Sequence, residues 1–226
     1  MANVNSTDKE ILNQQNIEAK VSATDQFLKE NKKTLWGAII AVIVIGLAIL
    51  GYYKFIYQPK CAEAMQAAYV AEQNFQAGEY ELALNGDGNV LGLAQVIDDY
   101  GKKAGESVYM AAGICELQLG NYESAISYLK KYNGKESLLA AKALACEGDA
   151  YVGLEDYKAA VSCYEKAAAT ADNLFAASYL LKEGVAYEAL GNKEAALKCY
   201  ETIKDQYAQT IEGYEIDKYI TRAQAE

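Results

Sequence analysis

The stretch Gly148-Asp149-Ala150-Tyr151-Val152-Gly153-Leu154-Glu155-Asp156-Tyr157-Lys158-Ala159-Ala160, continued by Tyr164 and Ala167, decides the fold because its frame occurs three times. Upstream the frame reads Gly113, then Leu119-Gly120-Asn121-Tyr122 and Ala125. Downstream it reads Gly184, Tyr187, Leu190-Gly191-Asn192, Ala196 and Tyr200. The steps are 35 and 36 residues, whether measured from Gly to Gly or from Ala to Ala. A period of about 34 residues with small residues at fixed places is the signature of stacked helix–turn–helix units. Small Gly and Ala side chains let two helices cross closely. The Leu-Gly-Asn-Tyr stretch turns the chain, and Tyr164 and Tyr200 are expected to fill the gap to the next pair. Such an array presents a surface to other chains and seldom catalyses by itself.

Around this frame the expected helix pairs run over 105–118 with 122–132, 137–153 with 157–171, and 174–189 with 193–207. The corresponding repeats span about 105–139, 140–174 and 175–208. A degenerate first repeat over 60–104 begins with a helix opening near Pro59, carrying Ala62, Met65, Ala68 and Phe75 to a Gly78-Glu79-Tyr80 turn and Ala83. From Ala83 to Ala125 is 42 residues, where the later repeats take 35 and 36. The excess is visible as Asn85-Gly86-Asp87-Gly88-Asn89, ahead of a helix over about 93–100. A last helix over 211–225, with Tyr214, Ile216, Tyr219 and Ile220 on one side, reads as the solvated cap that such arrays require. One Pro in the chain and no alternating pattern leave little room for strands. The fold class is all-α.

Residues Thr34 to Tyr53 carry no charge. Twenty residues of helix rise about 30 Å, the thickness of a bilayer's hydrocarbon core. Trp36 at one end and Tyr52, Tyr53 and Tyr57 at the other stand where aromatic belts form. A single transmembrane helix over 34–57 is expected. The run is too long, and starts too late, for a cleaved signal peptide. Lys29, Lys32 and Lys33 before it, against Lys54 and Lys60 after it, favour a cytoplasmic N-terminus and repeats on the far side. Residues 1–33 are a polar tail with a weak stripe of Ile11, Ile17, Val21, Phe27 and Leu28 and too little apolar mass for a core.

The net charge of −10 gathers beyond the span. From Gln58 onward there are 15 Lys/Arg and 26 Asp/Glu. That surplus repels phosphate backbones and anionic lipid faces, and nucleic acid is not expected as a partner. Histidine is absent from the sequence, which removes imidazole bases, Ser-His and Cys-His pairs and most zinc sites. The Asn85–Asn89 loop has Val90 and Val96 where a calcium loop needs Gly and Glu. Cys61, Cys115, Cys146, Cys163 and Cys199 show no metal spacing; Cys163 and Cys199 occupy equivalent places one repeat apart, and packing thiols are the first reading, with a disulfide as the alternative. No catalytic residue, metal or cofactor is expected, and the chain is not expected to be an enzyme.

These motifs resemble tetratricopeptide repeat (TPR) proteins, specifically over 105–207 and loosely over 60–100. The layout of a short tail, one apolar helix and a TPR domain resembles the ancillary SecYEG translocon subunit family (YfgM type), bacterial inner-membrane proteins with a periplasmic TPR domain. The resemblance implies that the first helix of each pair lines a concave groove. Counting from each Gly, the groove positions are Met110, Ile114 and Leu117, then Lys142, Ala145, Asp149 and Val152, then Leu181, Val185 and Glu188. The degenerate repeat adds Met65, Ala68, Glu72 and Phe75. The protein-binding candidates are the apolar ones: Met65, Phe75, Met110, Ile114, Leu117, Val152, Leu181 and Val185. They suit an amphipathic helix or exposed hydrophobic segment, unless neighbouring helices bury them. The expected function is a membrane-tethered scaffold or chaperone-like adaptor for translocon components, periplasmic chaperones or exported clients. An organelle-surface import receptor with cytosolic repeats is the alternative; an enzyme using buried carboxylates or a thiolate is remote.

Overall fold

One proline in 226 residues leaves the helical hydrogen-bond ladder almost uninterrupted, and among the described residues every regular element is helical. The computed structural model describes Leu28 and residues 30–171 and 174–225. Most of the tail expected over 1–33, including its apolar stripe up to Phe27, lies outside the described residues. The chain divides into two compact units, Met1–Gln58 and Pro59–Glu226.

In the first unit, helix α1 (Lys32–Tyr52) buries none of its 21 residues. Val42, Leu47 and Leu50 are each more than 60% exposed. Water does not tolerate so long an unbroken apolar surface, and this stretch is long and apolar enough to cross a membrane. A π-helical turn follows at Tyr53–Tyr57, with the Gln58 N–H bonded to the Tyr53 carbonyl. Pro59 stands second in the next helix, which begins at Gln58, close to where the sequence placed its start. It sits just after a widened turn, where its missing N–H and its ring disturb the regular ladder.

In the second unit, α2 (Gln58–Ala77) buries Ala64, Ala68 and Ala71, a stripe at helical spacing. Then come α3 (Tyr80–Asn85) and α4 (Leu93–Tyr100), α5 (Glu106–Gln118) paired with α6 (Tyr122–Leu129), α7 (Ser137–Gly153) with α8 (Tyr157–Ala171), α9 (Ala176–Ala189) with α10 (Lys193–Gln206), and α11 (Ile211–Ala225). Each helix from α5 on packs on its neighbour in sequence. The core is consequently a row of linked clusters, as a repeat array requires.

The small residues of the frame have identifiable partners. A Cβ built on Gly148 would meet the Tyr164 ring at 2.6 Å, and one on Gly184 would meet the Tyr200 ring at 2.3 Å. The aromatic thus fills the notch over the glycine of its own helix pair, rather than the gap to the next pair that the sequence suggested. In the first pair Leu129 takes the aromatic's place against Gly113. Ala125, Ala160 and Ala196 are fully buried where the helices cross.

The turns are built alike. Asn121 N–H bonds to Glu116 O and Gly120 N–H to Leu117 O; Asp156 to Tyr151 with Glu155 to Val152, and Asn192 to Tyr187 with Gly191 to Glu188, repeat the pattern. This doubly bonded helix end places its central residue in the left-handed region: Gly120 at φ 79°, Glu155 at 59° and Gly191 at 72°. Asp156 and Asn192 then cap the next helix through their side chains, accepting from the N–H groups of Ala159 and Ala195.

The inserted loop closes on itself. Asp87 accepts from the Asn89 and Val90 N–H groups, and Gly86 pairs with Leu91. On α11 the buried stripe is Ile216 and Ala223, with Tyr219 and Ile220 packed beside them. Tyr214 is 79% exposed and stands off that stripe, which corrects its expected place on the packed side.

Candidate functional site

The end of α2, one side of α5, the loop after α6 and the start of α7 line a cavity of about 600 Å³. Phe75 enters from α2, Met110 and Ile114 from α5, Leu139 from α7 and Tyr132 from the loop. The loop is held in place by sequence-local chemistry. Asn133 donates its N–H to Glu106 at 2.6 Å, tying the loop to the first turn of α5. Gly134 gives room for Tyr132: a Cβ there would stand 2.1 Å from the Tyr132 hydroxyl. Burial, followed by Glu136 and Glu106, raises the Tyr132 phenol. Around the apolar floor stand Glu72, Glu106 and Glu136 with Lys135 and Lys142. An apolar floor inside a charged rim is the anatomy of a docking site for another chain.

Of the eight residues expected in a groove, three share this cavity: Phe75, Met110 and Ile114. Met65 does not line it, because the core-facing stripe of α2 is Ala64, Ala68 and Ala71; Met65 points away and is 68% exposed. Leu117 instead packs against the cluster of Ala125, Ile126, Leu129 and Ala150. Leu181 packs against the C-terminal cluster around Tyr200 and Ile216. Val152 and Val185 are partly exposed but lie outside this cavity. Two further groove positions are taken up within the chain. Asp149 accepts from Lys182 Nζ at 2.6 and 2.7 Å and from the Tyr164 hydroxyl at 2.7 Å. Glu188 pairs with Arg222 of α11.

The cavity contains residues that reading the repeat frame missed. Tyr132 and Leu139 lie between the repeats' fixed positions, so a count from each glycine passes over them. The signal that could have found them is local: Tyr132-Asn133-Gly134 is a turn sequence carrying an aromatic beside the start of a helix.

All five cysteines are free, and Cys115, Cys163 and Cys199 are buried. Burial pushes the Cys115 and Cys199 thiols up to about 12 and those of Cys146 and Cys163 up to about 11. Thiols that stay protonated are poor nucleophiles. Among the described residues no group of three acidic or cysteine side chains is placed to hold a metal ion.

Residues 106–133, 141–173 and 177–205 each match the tetratricopeptide repeat family model. These stretches are tetratricopeptide repeats, and the chain carries an all-α TPR array. No curated protein sequence matches the chain. Among solved structures it is similar to the crystal structure of MamA protein, with 17% identity and a TM-score of 0.56 over 74% of this chain and 83% of that one. A second crystal structure of MamA is 19% identical with a TM-score of 0.51, covering 69% of this chain and 93% of that one. At such identity the likeness is one of fold.

Proposed function

We propose that this protein is a membrane-tethered TPR scaffold that holds exported polypeptides, or the factors handling them, beside the inner-membrane secretion machinery, with no chemistry of its own. The observation that supports it best is the cavity floored by Phe75, Met110 and Ile114 and rimmed by charges of both signs. An amphipathic segment with flanking charges complements it: its apolar face leaves water while its charges stay at the rim. The α1 segment serves as the anchor, within a domain plan of tail 1–33, span 34–57 and array 58–226. Lys29, Lys32 and Lys33 retain the N-terminus in the cytoplasm and the array enters the periplasm. This arrangement is that of the ancillary SecYEG translocon subunits. The array's acidic surplus steers it away from phosphate backbones and anionic lipid, leaving polypeptide as its partner.

The test is site-specific photocrosslinking in intact membranes. A photoreactive amino acid in place of Ile114 is expected to capture translocon components or exported chains. The same group in place of Glu201, exposed on α10, is expected to capture neither. Identical products from both positions, or none from Ile114, would end this reading. Protease treatment of spheroplasts checks the topology, because only an external array is digested.

A further inference from the structure

One repeat shows how a recurring seat is occupied, and the next leaves the same seat open. In the first copy Lys130 Nζ donates to the Tyr151 hydroxyl at 2.7 Å, lies 3.7 Å from Glu147 Oε1 and stands 5.4 Å from the centre of the Tyr151 ring. The Glu147 side chain is only 12% exposed, and the Cys163 thiol bonds to it. A carboxylate and a phenol oxygen thus hold one ammonium group, which lies beyond the hydroxyl at the ring's edge.

Thirty-six residues on, Glu183, Tyr187 and Cys199 stand where Glu147, Tyr151 and Cys163 stand. The ammonium does not recur. Lys130 is five residues past Ala125, and the residue five past Ala160 is Glu165. Glu183 is 7% exposed and borders a cavity of about 510 Å³ whose walls include Glu165, Tyr187, Ala168 and Leu180. Lys198 borders the cavity as well, yet no ion pair within 4.0 Å joins it to Glu183 or Glu165. A carboxyl taken so far from water is costly to ionise without a cation beside it.

We propose that this cavity binds a primary alkylammonium group, supplied by a lysine side chain of a partner polypeptide or by a free aliphatic diamine, seated on Glu183 and Tyr187. The ammonium takes the place that Lys130 holds one repeat earlier, and its methylene stem lies along Ala168 and Leu180. Glu165 adds a second negative charge at the mouth. The groups around Glu183 are Glu165 from α8, Lys198 and Cys199 from α10, Tyr207 just after it, and Tyr187 on α9 itself; α11 turns its Arg222 to Glu188. Burial first, then Glu165, raises the Glu183 carboxyl to about 7, against the lowering by Cys199 and Lys198. Binding therefore strengthens as pH rises through neutrality and Glu183 ionises.

The experiment uses the full-length protein in lipid nanodiscs, above neutral pH, with cadaverine and Nα-acetyl-lysine amide as probes in calorimetric titrations. The parent is expected to bind at least one probe, and binding of the lysine amide identifies a lysine side chain as an accepted source. E183Q is expected to weaken binding by roughly tenfold or more with helicity unchanged. E165K restores an internal lysine and is expected to abolish binding of both probes while raising Tm. Ile114→Ser alters the other cavity and is expected to bind as the parent does, so failure of the docking groove and failure of this site are distinguishable. No binding by the parent, or parent-like binding by both E183Q and E165K, overturns the proposal.

Discussion

The repeats built on Gly148 and Gly184 have the same backbone frame and different polar chemistry. In the first, the Tyr164 hydroxyl donates to Asp149 at 2.7 Å and Glu147 lies 3.7 Å from Lys130. In the second, Val185 stands where Asp149 stands and Glu165 where Lys130 stands. The Tyr200 hydroxyl is buried beside Glu188 and Arg222 without a hydrogen bond of ordinary geometry, and burial followed by the Glu188 carboxylate raises the phenol. The glycine notch, the buried alanine and the doubly bonded turn recur because each is needed for two helices to cross. The polar groups are satisfied differently from repeat to repeat, and the array acquires local chemistry where they are left unpaired.

The largest expected effect breaks what the two repeats share. Gly184→Ala puts a methyl 2.3 Å from the Tyr200 ring and Gly148→Ala puts one 2.6 Å from Tyr164. Overpacking of this kind costs about 2–3 kcal/mol. Urea unfolding of the full chain in detergent, followed by helicity, is expected to show both losses, with Gly184→Ala the worse. A change below experimental error in both variants would mean the rings do not sit in the notches.

The next prediction isolates the Glu183 carboxyl, which the Cys199 thiol bonds but no cation pairs within 4.0 Å. Because the folded Glu183 group titrates near 7, above its ordinary 4.5, its contribution is fully present below about pH 4.5 and is lost as pH rises through 7. Discounted for partial solvent access, the loss amounts to roughly 1–2 kcal/mol. Glu183→Gln is expected to flatten this decline and be the more stable protein above pH 7, whereas Glu147→Gln, which removes a partner of Lys130, brings no such gain. The check is a pair of stability–pH curves; parallel curves for the parent and Glu183→Gln would refute the assignment.

A smaller contrast concerns the two tyrosines. Tyr164→Phe removes the bond to Asp149 and is expected to cost about 1 kcal/mol. Tyr200→Phe removes a buried hydroxyl whose contacts with Glu188 and Arg222 fall short of ordinary hydrogen-bond geometry, and it is expected to be neutral or slightly stabilising. Equal losses in thermal unfolding would show that Tyr200 is hydrogen-bonded in solution.

Much of this architecture is legible in the sequence, because steric requirements leave periodic marks. Gly113, Gly148 and Gly184 and the alanines that follow them place helices α5 to α10 to within a few residues. What pairs with what was not legible. Leu117 and Leu181 look like groove residues by count, yet they face neighbouring helices, since an apolar side chain carries no mark of which face it covers. Tyr132 and Leu139 belong to the groove through a loop outside the repeat frame. The relation of Lys130 to Glu147 crosses from one repeat to the next, so a frame counted within a single repeat cannot display it.

The finest difference between the repeats is one backbone angle. Glu155 adopts φ 59° at the turn where Gly120 and Gly191 adopt 79° and 72°. A side chain there strains the backbone by about 1–2 kcal/mol, while glycine loses more freedom on folding by about 0.5–1 kcal/mol. Glu155→Gly is therefore expected to stabilise the array by about 0.5 kcal/mol, and Gly191→Glu to destabilise it by a similar or larger amount. The two substitutions exchange the turn residues of the two repeats, so opposite shifts in Tm would locate the effect in the left-handed angle. If both variants lose stability, Glu155 contributes something its siblings lack. Its neighbour Asp156 still caps α8 in either case, so the turn itself persists.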